Sequence, residues 1–267
     1  MRKYCVRSAS KAQQMRVEVS VKNSIYIVGI GPGKEEMMTG EALYILEQAD
    51  IIVGYTTYLL LLGDRFRGKE LHATPMRQEE ERCRICFTEA EKGKTVALIC
   101  SGDAGIYGMA SLMFEIGKAH PQTELTVIAG VTAASSGAAL LGAPLGHDFC
   151  TVSLSDLLTP WETIERRLRA AAEGDFVIVL YNPSSHKRKD YLKKACRILL
   201  SRMEESRVCG YVENIGRDGT KMTICTLGEL QDREVSMFTT VFIGNSSSEV
   251  IDGRFVTKRG YDCRKHV

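Results

Sequence analysis

The chain has 267 residues, a formal charge of +2, 44% apolar residues and 25% charged residues. It therefore has ample apolar material for a core, in one large α/β unit or two modest domains. So balanced a charge excludes a whole-molecule field aimed at nucleic acid or a membrane surface, though not a locally positive cleft.

No apolar run approaches the roughly 18–20 residues that span a bilayer. Residues 1–23 are polar and basic and lack the apolar middle of a secretion signal. A disordered leader, or a mis-set start with Met15 as the true one, fits them. The nine cysteines, at 5, 83, 86, 100, 150, 196, 209, 225 and 263, are odd in number and scattered. They read as buried, reduced thiols of a cytoplasmic protein.

In chain order, strands alternate with helix patterns, which predicts a mainly parallel sheet covered by helices. Residues 25–30 form a continuous apolar strand, broken by Gly31-Pro32-Gly33. A helix over 41–48 and a strand over 51–54 follow. Then come a charged amphipathic helix over 79–92, a strand over 95–100, a loop over 101–106 and a helix to about Lys118. A strand over 125–128 leads through residues 130–136 into a small-residue helix ending near Leu141. Residues 142–146 (Gly-Ala-Pro-Leu-Gly) look like a linker. They divide an N-terminal α/β domain (24–142) from a C-terminal one (143–267).

Beyond the linker the pattern restarts with a strand over 149–154. Thr159-Pro160-Trp161-Glu162 predicts a helix start with Thr159 as cap, Pro160 at the first helical position and Glu162 closing a capping box. That helix runs to about Ala172. A strand over 176–181 and a helix over 187–203 follow. Strands over 208–213 and 221–226 flank Arg217-Asp218-Gly219-Thr220, where Asp-Gly signals a tight hairpin. The last strand covers 239–244. The second sheet should therefore be mixed.

Gly29-Ile30-Gly31-Pro32-Gly33 follows a strand and precedes a helix, as a dinucleotide loop would. Yet the third glycine of that fingerprint would fall on Lys34. Pro32 also removes an amide donor where phosphates need donors. The acidic residue that grips ribose should end the second strand, but Asp50 begins it and Gly54-Tyr55 end it. A Walker loop fails too, with Val28 for its first glycine and Glu35 after the lysine. The loop is either a plain tight turn or a surface for close backbone approach without a phosphate.

Four loops stand at the carboxyl ends of predicted strands, where open α/β sheets bind ligands. They are residues 29–33, 101–108, 129–136 and 181–185. They offer backbone amides and carbonyls, small side chains and the carboxylate of Asp103. That set suits an adenosine carrying a sulfonium.

The G-x-G-P-G loop, the G-D-x-x-x-Y-G run at 102–108 and the G-x-T-A-A-S segment at 130–135 stand in this order. In that, the sequence resembles the tetrapyrrole (corrin and porphyrin) methylase family over about residues 24–260. Residues 54–59, 148–161 and 181–185, followed by Arg188, resemble the branch that methylates C-17 of a precorrin or its cobalt-bearing counterpart. Asn182-Pro183 helps set that branch apart. Ala104 departs from the proline usual after the aspartate.

The resemblance implies two α/β domains enclosing S-adenosylmethionine, which leaves as S-adenosylhomocysteine, with the tetrapyrrole in an adjoining trough. Carried over by residue, Pro32, Ser101, Gly102, Asp103, Ile106, Thr132, Ala133 and Asn182 would line the cofactor. Tyr211 and Asn214, from the segment over 211–216, would back the adenine. Gly31, Gly33 and Arg188 would meet the substrate. Lys187, Arg188 and Lys189 read equally as a solvated first helical turn, although a positive first turn opposes the helix dipole. The implied reaction is methylation at C-17 with ring contraction, in cobalamin (corrin) biosynthesis. Contraction moves protons, and Asp103, Asp156 and Glu213 are the candidate acids or bases.

A homodimer is a family expectation. The alternatives are methylation at another ring carbon, a nicotinamide-dependent oxidoreductase, and an idle tetrapyrrole-binding module. The stretch over 148–161 argues against the first and the failed fingerprint against the second. The intact Gly-Asp and Thr-Ala loops argue against the third.

No metal site is expected, because His72, His120, His147, His186 and His266 form no ligand pattern. Without an appended cysteine-rich segment, no iron–sulfur cluster is expected either. Cys83-x-x-Cys86 lies in a charged helix without a second pair and reads as surface or half-buried thiols. His147 reads as a solvent-exposed loop residue or a substrate contact. Trp161 is expected in interdomain packing, and Gly105, Gly137 and Gly142 at close helix contacts.

Overall fold

A computed structural model describes residues 23–185 and 188–261. The leader and the readings of Cys5, Met15, His186, Lys187, Cys263 and His266 lie outside the described residues. In the first half, β1 (Ser24–Gly29) leads to α1 (Gly40–Gln48), β2 (Ile51–Tyr55), the short α2 (Thr56–Leu59) and β3 (Glu70–Thr74). Next come α3 (Glu79–Glu91), β4 (Val96–Cys100), α4 (Ala110–Gly117) and β5 (Glu124–Ile128). These strands form one fully parallel sheet in the order β3-β2-β4-β1-β5.

Alternation along the strands supplies both faces of this sheet. Ile25, Ile27, Val96 and Leu98 pack on Cys83, Cys86 and Phe87 of α3 and Met113 of α4. Tyr26, Val28, Ala97 and Ile99 pack on Ala42, Ile45 and Leu46 of α1. Helices on both faces explain the uninterrupted apolar runs.

In the second half, α5 (Ala133–Leu141) runs into β6 (Gly142–Ala143), then β7 (Phe149–Ser153), α6 (Trp161–Glu173), β8 (Val177–Tyr181) and α7 (Tyr191–Leu200). After these come β9 (Val208–Glu213), β10 (Lys221–Thr226), the short α8 (Leu227–Leu230), β11 (Thr239–Ile243), β12 (Ser248–Ile251) and β13 (Arg254–Thr257). The main sheet, β10-β9-β11-β8-β7, is mixed: the β7–β8 pairing is parallel and its other pairings are antiparallel. A small sheet, β12-β13-β6, takes up the segment read as a linker.

Helices α6 and α7 cover one face of the mixed sheet, with Ile164, Leu168, Leu192 and Leu199 on Ile178, Leu180 and Val241. Helix α5 covers the other, with Ala134, Ala138 and Leu141 against Val179, Val212 and Phe242. A Cβ on Gly137 would come within 2.8 Å of the Phe242 ring. By packing, then, α5 belongs to the second sheet, although it precedes the proposed boundary in sequence.

Several expectations need correction. Pro160 is itself the N-cap of α6 and no side chain caps it. Thr159 thus sits one residue too early for a capping box, which instead forms at Thr226 and Glu229 on α8. Helix α7 begins at Tyr191, with Asp190 as N-cap. Arg188 and Lys189 therefore precede the positive end of the helix instead of crowding it. The β9–β10 connection is no two-residue turn, because Glu213 pairs with Lys221 and residues 214–220 form a wide loop. Trp161 packs on Tyr191, ring centroids 4.7 Å apart, on the α6–α7 side of the second core. Gly105 meets only Asp103, and Gly142 serves the backbone with φ +135°.

The Cys83-x-x-Cys86 pair is fully buried. Burial pushes Cys83 and Cys196 up to about 12 and Cys100 and Cys225 up to about 11. Folding thus favours the protonated thiols. Their contribution is intact below the ordinary thiol value of 9.0 and is lost as pH climbs through 11 to 12. Urea unfolding at stepped pH should show stability falling over this window, and more gently in a Cys83→Ala/Cys196→Ala double variant. Gly137→Val should cost about 1–3 kcal/mol by overpacking against Phe242. Gly40→Ala, with open space around the new methyl, should be near neutral in the same urea titration.

Candidate active-site crevice

The crevice begins as a lock of glycine backbones. At the end of β1, Gly31 and Gly102 exchange two hydrogen bonds, Gly31 N to Gly102 O at 3.0 Å and Gly102 N to Gly31 O at 2.7 Å. Both adopt positive φ, +74° and +73°, which L side chains resist. A Cβ on Gly130 would lie 2.1 Å from Gly102 O, and one on Gly29 would lie 2.7 Å from Gly130 N. The loops can meet this closely because Gly29 and Gly130 lack side chains, while Gly31 and Gly102 supply the positive-φ backbone.

Asp103 fastens the same loops. Its Oδ1 accepts hydrogen bonds from Gly105 N at 2.8 Å and Ile106 N at 3.1 Å, and its Oδ2 from Gly130 N at 2.9 Å. It thus faces the crevice as an anion whose oxygens already hold three amides.

Tyr181, at the end of β8, ties in the second half. Its hydroxyl lies 2.6 Å from Thr132 Oγ1 and accepts from Ala134 N at 2.9 Å. Burial raises its pKa, against the pull of those two hydrogen bonds. The Tyr107 ring packs tilted against it at 5.1 Å. Asn182, at φ +54°, donates from Nδ2 to Ser153 Oγ at 2.9 Å.

The opposite wall comes from the β9–β10 loop. A Cβ on Gly33 would sit 2.0 Å from Gly216 O, which also accepts from Lys34 N at 2.9 Å. Arg217 donates from Nε to Pro32 O and from Nη2 to Ser101 Oγ, both at 3.2 Å. Its guanidinium carbon lies 4.8 Å from the centre of the Phe238 ring.

Pro32, Ser101, Gly102, Asp103, Ile106, Thr132, Ala133, Asn182 and Asn214 all line this one crevice. Other candidates stand elsewhere. Tyr211 is buried in the second core facing α6 and α7. Its neighbour Val212 faces α5, so strand parity turns Tyr211 away. Gly31 and Gly33 are consumed in backbone contacts.

Asp156 accepts from Tyr191 Oη at 2.6 Å and lies 3.7 Å from Arg188 Nη1, outside the crevice lining. Arg188 also donates to Ser185 Oγ. Glu213 pairs with Lys221 and Thr239 in the sheet and is not in the lining. His147, exposed, accepts from Asp148 N and stands outside the lining.

Sequence reasoning missed Tyr58, Arg217 and residues 237–240, which complete the lining. Arg217 lay in a segment read only as a turn. The unusual arginine ahead of Asp-Gly was the available signal.

These features define an α/β protein whose strand-end loops build one small-molecule crevice across two sheets. The family model for Tetrapyrrole (Corrin/Porphyrin) Methylases matches residues 24–231. The chain belongs to that family.

It is 45% identical over 236 residues to a probable cobalt-factor III C(17)-methyltransferase of Salmonella typhimurium, covering 88% of this chain and 98% of that one. It is 42% identical over 252 residues to the cobalt-factor III methyltransferase of Priestia megaterium. That match covers 92% of this chain but spans only 46% of the relative's length. Among solved structures, the methyltransferase CobJ superposes with a TM-score of 0.83 at 35% identity, covering 89% of this chain and 100% of that one.

Asp103→Asn keeps two acceptor contacts but turns an amide donor towards the Gly130 N–H. The loss should be about 1–3 kcal/mol in unfolding free energy. Amide exchange should rise at residues 130–132 before it rises in β1.

Proposed function

We propose that the protein is an S-adenosylmethionine-dependent methyltransferase that methylates C-17 of cobalt-factor III, with ring contraction, in corrin biosynthesis. The observation that carries this reading is the single crevice at the strand ends. Its walls combine loop backbone, small side chains, aromatic rings, the Asp103 carboxylate and the Arg217 guanidinium, and no phosphate-binding glycine fingerprint stands there. The Salmonella typhimurium and Priestia megaterium relatives are named for cobalt-factor III. Neither the glycine loop nor the lining offers support for a nicotinamide reading.

The residues present fit the methyl donor. Gly102 lines the crevice without a side chain and Ala133 with a methyl alone, which leaves room for a flat ring edge. The Asp103 carboxylate, a negative charge on the crevice lining, favours a positive sulfur beside it. When bound, S-adenosylmethionine supplies an activated methyl on a sulfonium and leaves as a neutral thioether.

The protein's task is positioning, which for a well-oriented pair of reactants is worth several kcal/mol, on the order of 7 or more. Tyr181 holds the Thr132–Ala134 turn, the glycine lock fixes the loops that carry Pro32 and Ser101, and Ile106 and Phe238 offer apolar surface to the ligand. Of the suggested acids and bases, only Asp103 borders the crevice, and it serves as an electrostatic anchor. We extend the reading to a cytoplasmic homodimer, and to a division into two α/β domains at residues 142–146.

Calorimetric titration should show S-adenosylhomocysteine binding and NADH not binding; the reverse would end the proposal. Asp103→Asn should weaken S-adenosylmethionine more than its neutral thioether product, because only the former carries the charge. Incubation with cobalt-bearing and metal-free substrates, read by mass, should add one methyl to the cobalt form. Methylation of the metal-free form alone would move the enzyme to the other pathway.

A further inference from the structure

Arg217 is a cation on the crevice wall whose hydrogen-bond partners are all neutral. Several described arginines pair with carboxylates, such as Arg65 with Glu35 and Glu47, Arg84 with Glu80, and Arg169 with Glu165, and the buried Arg82, held by Thr74 and Pro75, lies outside the crevice lining. Arg217 is half-buried in the crevice wall, and among the described residues no carboxylate lies within ion-pairing distance of it. Desolvation lowers its pKa, as expected for a cation without a counter-charge.

Its two hydrogen bonds go to neutral acceptors, Pro32 O and Ser101 Oγ, and Phe238 supports the guanidinium plane. A guanidinium carries five N–H donors in a fixed fork. Two of them orient it here, and the remainder are free to serve a ligand. An uncompensated cation held in a ligand crevice is costly unless an anion arrives to meet it.

We infer that Arg217 is the carboxylate receptor of the crevice. The inference rests on the methyltransferase reading above, which supplies two sources of that chemistry. One is the amino-acid end of the methyl donor and the other is the acidic periphery of the tetrapyrrole. The two hydrogen bonds to Pro32 and Ser101 pre-set the fork across the junction of the two sheets, so carboxylate recognition and closure of the crevice share one side chain.

The test uses Arg217→Gln and Arg217→Lys in the full chain, with binding as the readout. Calorimetry compares S-adenosylhomocysteine with 5′-methylthioadenosine, which keeps the adenosine and thioether but lacks the carboxylate. Fluorescence anisotropy measures uroporphyrin III, a tetrapyrrole bearing carboxylates.

The glutamine variant should lose about 10- to 100-fold in affinity for one carboxylate ligand. Methylthioadenosine should be unaffected, and the lysine variant should recover much of the loss. Loss confined to S-adenosylhomocysteine assigns the donor's carboxylate, and loss confined to the porphyrin assigns the substrate's.

Equal weakening of S-adenosylhomocysteine and methylthioadenosine, or a lysine variant as poor as the glutamine one, would overturn the inference. Arg217 would then be a structural strut. No change in either ligand would overturn it as well. If wild-type protein binds neither adenosyl ligand, the methyltransferase reading falls. The porphyrin arm would still decide whether Arg217 receives carboxylates.

Discussion

The fold is organised around a place where backbone meets backbone. Gly29, Gly31, Gly102 and Gly130 bring three loops closer together than any pair of Cβ atoms would permit. Hydrogen bonds in both directions between Gly31 and Gly102 close the contact. Because β1 lies between β4 and β5, those loops leave adjacent strands on the same side of the parallel sheet. The sheet brings them together and the missing side chains let them touch. The Asp103 carboxylate then satisfies three amides that the loops would otherwise leave unpaired.

The second sheet meets this lock through two contacts. On one side the Tyr181 hydroxyl grips the start of α5 at Thr132 and Ala134. Helix α5 carries its other apolar positions onto β9 and β11 through Val212 and Phe242. On the other side Gly216 and Arg217 reach back to Gly33, Pro32 and Ser101. The crevice is therefore bounded by groups fixed from both halves of the molecule. Its shape depends on the junction as much as on either sheet.

The sequence made the parallel sheet legible because its central strands β1, β2 and β4 are buried on both faces and read as unbroken apolar runs. The strand-end loops were legible for a related reason, since glycines at close approaches leave gaps in the pattern that no helix or strand explains. What escaped was decided by tertiary context. Tyr211 and Val212 are neighbours on one strand, and only the placement of α5 tells which of them faces which layer. Arg217 looked like part of a turn because Asp-Gly dominates local turn chemistry, whereas the hairpin opened into a wide loop to meet Gly33. The short β3, β6, β12 and β13 lack enough periodicity to stand out before their partners are known.

The same geometry explains how a crevice with a carboxylate and an arginine avoids collapsing into a salt bridge. Asp103 is held by Gly105, Ile106 and Gly130, and Arg217 by Pro32, Ser101 and the Phe238 ring. Each ion is thus satisfied in part by neutral partners, Arg217 by groups reached across the junction of the two sheets. Had the two been free to pair, their charges would cancel, and the crevice would lose the opposed potentials that can orient a zwitterionic or polyanionic ligand. Neutral partners that hold the two side chains separately leave a negative and a positive charge both available on the lining of one crevice. A ligand whose cationic and anionic groups lie at opposite ends of a short chain would meet complementary charge at both.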